Sequence, residues 1–142
     1  MIRKAVKTDA EAIAEICRSS LGHDGTAEVI AERIGGLRNS PSYYIAVFTD
    51  ESGAVCGFLQ AQEYTPLYED NGWNVIALAV APASRGKGIG RALMSSLETH
   101  AKSLGGHFVR LNSRTERTEA HAFYEHIGYT CDKTQKRFIK RF

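Results

Sequence analysis

The sequence predicts an α/β fold with a mixed central β-sheet flanked by helices. Three observations predict it. Short runs of β-forming residues alternate with stretches whose apolar residues recur at helical spacing. Two of the β runs, Tyr43 to Thr49 and Ala54 to Tyr64, meet at the turn Asp50-Glu51-Ser52-Gly53 and so read as an antiparallel hairpin. A third, Trp73 to Val80, is mostly apolar, as expected of a central strand.

Ile2 to Val6 reads as a first strand. Thr8-Asp9-Ala10-Glu11 has the spacing of a capping box, and the helix it opens carries Ile13, Ile16 and Cys17 on one face. Leu21 to Gly25 is a break. Thr26 caps a second helix through Val29, Ile30, Ile34 and Leu37, with Gly35-Gly36 fraying its end before the stop at Asn39-Ser40-Pro41. The hairpin and the apolar strand follow, separated by the loop Thr65 to Gly72. Ile89, Leu93, Leu97, Ala101 and Leu104 mark a long amphipathic helix that ends at Gly105-Gly106. Phe108 to Leu111 is a strand and Glu119 to Ile127 a short helix stopped by Gly128. Tyr129 to Thr134 and Arg137 to Phe142 read as a last hairpin. The expected order is β-α-α-β-β-β-α-β-α-β-β.

A chain of 142 residues suits one domain, 1–142, and buries enough surface to need no disulfide staples. Its 43% hydrophobic and 24% charged residues exclude disorder and coiled coil as the main organisation. No apolar run approaches the roughly 20 residues of a membrane span, and Met1 to Asp9 lacks the apolar stretch of a signal peptide. A net charge of +2 is too small to argue for nucleic acid as a partner. Cys17, Cys56 and Cys131 read as reduced, mostly buried thiols, so the expected location is the cytoplasm.

The sharpest local signal is Arg85-Gly86-Lys87-Gly88-Ile89-Gly90-Arg91, entered by a strand and left by a helix. Alternate glycines let a backbone approach a ligand and turn its N–H groups outward. The helix start adds roughly half a positive charge, and Arg85, Lys87 and Arg91 add full ones. That combination favours a pyrophosphate. A Walker loop fails because Gly88 follows Lys87, and a dinucleotide fingerprint fails because Arg91 takes the last glycine position.

At this loop the chain resembles the GCN5-related N-acetyltransferase family. Arg85, Gly88 and Gly90 match the family's cofactor loop, and Leu78, Val80 and Ala81-Pro82 match the strand end that leads into it. Ala120, Tyr124, Glu125, Gly128 and Tyr129 match a second family stretch. The resemblance implies transfer of an acetyl group from acetyl-CoA to an amine by direct attack on the thioester. It also implies that backbone groups of Leu78 and Val80 bond the pantetheine arm, and that N–H groups from Arg85 to Gly90, Ile89 included, hold the pyrophosphate. Arg85 and Arg91 would reach phosphates with their side chains. The strand holding Leu78 and the strand ending at Asn112 would splay apart around the thioester. Tyr124 would act on the departing thiolate.

Two positions depart from the family pattern. Arg117 stands where an asparagine is common, and it offers donors to phosphate but no acceptor to pantetheine. Ile76 and Ala77 occupy the region of a common glutamate. The amine must still lose a proton, since an alkylamine of pKa about 10.4 is almost wholly charged at pH 7. Glu63, at the end of a hairpin strand, is the first candidate base. Tyr64, Tyr68, Glu69 and Asp70 suggest a pocket for the cationic acceptor, and His23 lies in the helical break where family members often contact it. The histidines form no metal motif, so no metal is expected. Members of the family that acetylate protein N-termini often carry a Leu-Glu-Val-Arg strand before an asparagine; here the run is Val109-Arg110-Leu111-Asn112-Ser113, so the resemblance disfavours a ribosomal-protein substrate and favours a small-molecule amine over protein. The resemblance allows a homodimer through exposed sheet edges. The other function class is a CoA-binding sensor or interaction module without turnover.

Overall fold

The computed structural model describes residues 1–142, which form two units, Met1–Leu111 and Asn112–Phe142. The first unit holds the sheet. Its strands are β1 (Ile2–Lys4), β2 (Tyr43–Thr49), β3 (Val55–Tyr64), β4 (Gly72–Val80) and β5 (Val109–Leu111). Its helices are α1 (Ala10–Ile16), α2 (Ala27–Leu37) and α3 (Ile89–Ser103), and the second unit carries α4 (Thr118–His126). The strands lie in the order β1-β2-β3-β4-β5, antiparallel as far as β4 and parallel from β4 to β5. This is the mixed α/β sheet that the hairpin and the apolar strand predict. No helix is long and apolar enough to cross a membrane.

Strand alternation gives the sheet two faces. On one, Ile45 and Val47 of β2, Phe58 of β3 and Ala79 of β4 pack with Ile13 and Ile16 of α1 and Ile34 of α2. The other face carries Leu59, Ala61 and Trp73, and α3 covers it with Leu93, Met94 and Leu97, all fully buried or nearly so. Each buried side chain of this size contributes roughly 1.5–3 kcal/mol.

The first helix starts differently from the expected capping box. A 3-10 turn, Lys7–Asp9, precedes α1, and Asp9 rather than Thr8 closes it. The Asp9 carboxylate accepts the Val6 N–H at 2.9 Å and two Arg3 donors at 2.7 and 2.8 Å. The two oxygens of a carboxylate take a backbone donor and both arms of a guanidinium together, three donors where a single hydroxyl oxygen accepts at most two. Arg3 is the main cause that holds the Asp9 carboxyl below its usual range. α1 then runs into a π-helical turn, Cys17–Leu21, ended by Gly22 at φ 68°. Thr26 caps α2 as expected, its Oγ1 accepting the Val29 N–H at 3.3 Å. Gly35 and Gly36 do not fray α2, which continues to Leu37.

The last hairpin does not form, so the observed order ends at α4. Residues 131–142 are exposed throughout, Phe138 and Phe142 included. A two-stranded hairpin needs an apolar face to cover, and this segment is dominated by Lys133, Lys136, Arg137, Lys140 and Arg141. It also exposes Cys131, against the expectation of mostly buried thiols; Cys56 is buried, and burial pushes the half-buried Cys17 thiol up.

Candidate active site

β4 carries an open edge. The Ala81 N–H donates to the Cys56 carbonyl at 2.8 Å, just past the last pair of the β3–β4 ladder. Antiparallel pairing alternates, so Ala79 and Ala77 also turn their backbone groups toward β3, and Leu78 and Val80 turn theirs the other way. On that other side β5 pairs only with Trp73, Asn74 and Val75. From Ile76 to Val80 no strand of this unit pairs with the edge. The Val80 carbonyl accepts the Ser20 hydroxyl at 2.8 Å, from the π-helical turn after α1. The opening begins at a bulge: Gln60 pairs with Ala77 and Ala61 with Val75, which leaves Ile76 unpaired and half-exposed. An extra residue of this kind bends its strand and strengthens the local twist.

The open edge leads into the glycine loop. A 3-10 turn, Pro82–Ser84, is followed by Gly86 at φ 75° and Gly88 at φ 79°, and α3 starts at Ile89. A side chain at either glycine is strained, and the space where its Cβ would stand is empty to 4 Å. Gly88 caps α3 with no side-chain bond, and the Ala92 N–H to Gly88 carbonyl bond at 3.0 Å opens the helical ladder. The N–H groups of Ile89, Gly90 and Arg91 come before that first bond. Arg85, Lys87 and Arg91 are exposed, and no carboxylate is in ion-pair contact with them. Donors, helix dipole and three cations thus meet at the end of an unpaired strand edge, which fits an extended amide-bearing chain that ends in a pyrophosphate. Lys87 also lines a cleft of about 520 Å³ whose other wall includes Asp50 and Glu51.

The face of the sheet that α1 and α2 meet changes character along β3. Phe58 belongs to the apolar core, whereas Gln60, Gln62 and Tyr64 continue the same face with polar groups. Gln62 donates to the Tyr43 hydroxyl at 3.3 Å. Arg110 of β5 donates to the Asn74 amide oxygen at 2.6 Å, and its guanidinium lies 4.9 Å from the centre of the Tyr64 ring. Phe108 meets the same ring edge-on at 6.1 Å. The change falls at the bulge.

The remaining expected residues of the first unit scatter. Glu63 pairs with Trp73 and so stands on the α3 face, opposite Gln62 and Tyr64; it is exposed, and its carboxylate accepts the Ser42 hydroxyl at 3.4 Å. Tyr68, Glu69 and Asp70 form an exposed loop, and Tyr64 stacks with Arg110 rather than with those acids. His23 is exposed after Gly22. In the second unit, Asn112 and Arg117 are exposed and Arg117 precedes α4. Tyr124 lies within α4, with Phe123 at 5.2 Å and Tyr129 at 6.2 Å between ring centres. Burial pushes its phenol up, and the Arg117 charge opposes that rise. His121 bonds the Arg114 carbonyl at 2.8 Å.

The sequence does not single out Ser20, which bonds the Val80 carbonyl, or Asn74 and Arg110, which meet on the polar half of the face, or the bulge at Ile76. Arg110 had a readable signal, a charged residue between the apolar Val109 and Leu111 of a short strand. The bulge had none, because a run of small and branched apolar residues does not say where its pairing slips.

Comparison with known proteins bears on this geometry. Residues 10–129 match the model of the Acetyltransferase (GNAT) family. An L-methionine sulfoximine/L-methionine sulfone acetyltransferase of Salmonella typhimurium is 26% identical over 137 residues, covering 91% of this chain and 79% of that protein. Glucosamine-6-phosphate N-acetyltransferase from Arabidopsis thaliana superposes with a TM-score of 0.85 at 23% identity, covering 98% of this chain and 97% of that one. An aminoglycoside antibiotic 6'-N-acetyltransferase from Acinetobacter baumannii gives 0.84 at 13% identity, covering 100% and 98%.

Proposed function

This chain belongs to the Acetyltransferase (GNAT) family, and on that premise we propose that it moves the acetyl group of acetyl-CoA to the amine of a small molecule by direct attack on the thioester. The observation that carries the reading is the pair of left-handed glycines, Gly86 and Gly88, at the α3 start where the open β4 edge ends. Acetyl-CoA supplies the activated acyl group. Leu78 and Val80 offer backbone groups to its amide-bearing arm, and Arg85 to Arg91 offer N–H groups and charge to its pyrophosphate. A backbone N–H at Leu78, turned toward the open edge, faces the thioester oxygen and favours the charge that develops there.

Tyr124 donates a hydrogen bond to the departing sulfur. Full proton transfer from an ordinary tyrosine to an ordinary thiolate is uphill by about 2 kcal/mol. Burial of the Tyr124 phenol adds to that cost and Arg117 reduces it, so the hydroxyl steadies the thiolate more than it protonates it. The acceptor enters over the polar half of the sheet face, where no strand supplies a carboxylate. The amine proton therefore leaves through water, with Glu63 on the opposite face as its more distant receiver.

The test is release of free thiol from acetyl-CoA with a panel of small amines, and identification of the acetylated amine by mass. Thiol release that depends on the amine supports the reading. Binding of acetyl-CoA without thiol release for any amine contradicts it in favour of a sensor module.

A further inference from the structure

The polar half of the α1/α2 face begins at one glutamine, and we infer that Gln60 receives the acceptor amine and aims it at the thioester. The inference deepens the acetyltransferase reading and rests on it. Three observations of the first unit carry it.

The first is register. Ile45, Gln60 and Ala77 lie side by side across β2, β3 and β4, one row on from the buried Phe58 and on the same face. Ile45 belongs to the core under the helices and Ala77 packs against that core. Gln60 is thus the first polar side chain of β3 beyond the core, and it stands at the bulge. Its β4 neighbour, Ala77, carries a single methyl group and directly precedes Leu78, whose backbone turns to the open edge.

The second is an amide without a partner. Gln60 is half-buried, and its side chain makes no hydrogen bond within the chain, whereas Gln62, one row on, donates to the Tyr43 hydroxyl at 3.3 Å. Neither polar atom of the Gln60 side chain is sealed from solvent. A half-buried amide has lost part of its water without replacing it, and an N–H group brought in by a ligand restores the missing bond.

The third is reach. Neighbouring strands lie about 4.8 Å apart, so a chain that occupies the open edge beyond β4 lies about 9.6 Å from β3. A glutamine side chain extends about 5 Å by its bond lengths. An amine bonded to its oxygen adds about 2.9 Å, and attack on the thioester carbon spans about 3 Å more. The three lengths cross from β3 to the edge with a low arch over the Ala77 methyl group.

In the reaction the nitrogen lone pair forms the C–N bond, the C–S bond breaks with its electrons on sulfur, and a proton of the nitrogen leaves to water. Positive charge builds on the nitrogen only as attack proceeds, so the N–H bond to the Gln60 oxygen is stronger in the transition state than in the ground state. An amide oxygen holds and orients that N–H and takes no proton from it. Gln60 therefore raises kcat and leaves the pH dependence to the amine and water.

The experiment uses the full chain with acetyl-CoA and a panel of amines that begins with L-methionine sulfone, glucosamine 6-phosphate and kanamycin, and follows the amine turned over fastest. Gln60→Met keeps the length of the side chain and removes its acceptor oxygen. Its kcat and kcat/KM should fall together by about 10- to 100-fold, the range of a lost hydrogen bond to a charged group, with CoA affinity unchanged and a thermal melt showing that it folds. Gln60→Glu puts a base at the same point. In the unmodified enzyme kcat/KM should climb with pH toward the amine's own pKa; in this variant the climb should flatten above the pKa of the new carboxylate, which a side chain that only packs would not produce. A third readout needs no variant to fold: in the unmodified protein with CoA bound, the side-chain amide resonance of Gln60 should shift as the amine is added. A kcat for Gln60→Met within about twofold of the unmodified enzyme, an unchanged pH slope in Gln60→Glu, or an amide resonance that does not move overturns this inference and leaves the acetyltransferase reading intact. No thiol release with any amine of the panel overturns both.

Discussion

Phe58 and Gln62 point to the same face of β3, yet Phe58 is buried among α1 and α2 residues while Gln62 is exposed and bonded to Tyr43. The apolar half of the face, with Ile45, Val47, Phe58 and Ala79, has helices to cover it and no unpaired polar group. The polar half has Gln60, Gln62, Tyr64, Asn74 and Arg110 and lies past the bulge where β4 starts to lose β5. One sheet thus separates its work. Burial on one side of the bulge holds the strands rigid, and that rigidity lets the other side keep polar groups in fixed positions beside an unpaired edge.

The separation can be broken from either side. Phe58→Ala should lower stability by about 3–5 kcal/mol, the usual range for removing a buried aromatic ring, while Gln62→Ala stays within about 0.5 kcal/mol of the unmodified protein. Denaturant midpoints at constant slope measure both, and equal losses at the two positions would end the distinction. Tyr124→Phe removes one hydroxyl from the second unit. It should lower kcat about 100-fold, the lower end for a group that assists proton movement, and leave the affinity for CoA as it was. Turnover at the original rate would make Tyr124 a packing residue.

Glu63→Gln sharpens the contrast between the two faces. A base acting directly contributes 10² to 10⁴. From the α3 face and through water, Glu63 should be worth less than about tenfold near pH 7, and the loss should vanish toward the amine's own pKa. A loss of a hundredfold or more would place its carboxylate at the acceptor after all.

The smallest effect is on pH dependence, at the other face. His100 of α3 lies 4.7 Å from Tyr44 and 5.1 Å from Trp73 between ring centres, and its Nε2 is buried without a partner. Burial first, and the Lys4 charge second, hold its pKa below the ordinary 6.5. The folded state then binds fewer protons than the unfolded one. Its contribution is complete above the ordinary value and is lost as pH falls from there through the lower folded value. His100→Phe keeps a ring and should flatten that part of the stability–pH curve; the same slope in both proteins would remove His100 from it.

Much of the fold was legible because its signals are local. Thr26 caps α2, Asp50 to Gly53 turn the hairpin, and the glycines at 86 and 88 mark a loop that only they can take. The last hairpin was misread because β-forming residues near Phe142 say nothing about whether another surface covers them. The cap at Asp9 was misread because its partner, Arg3, comes from the preceding strand. The acceptor side was the least legible. Sequence proximity put Glu63 and Tyr64 together, and the two-residue period of a strand puts them on opposite faces. Arg110 and Asn74 are joined only by the parallel pairing of β4 and β5, a contact between residues far apart in the chain.

The central claim is that the open β4 edge and the left-handed glycines hold acetyl-CoA. Calorimetric titration of CoA into the unmodified protein and into Gly88→Asp tests it most directly. Gly88 has φ 79° and open space where a Cβ would stand, so an aspartate there strains the loop and sets a negative charge toward the phosphates. The account predicts saturable binding to the unmodified protein and a loss of at least about tenfold in the variant, a like-charge and backbone effect together of 1.4 kcal/mol or more. Equal affinity in the two proteins, with both folded, would contradict it.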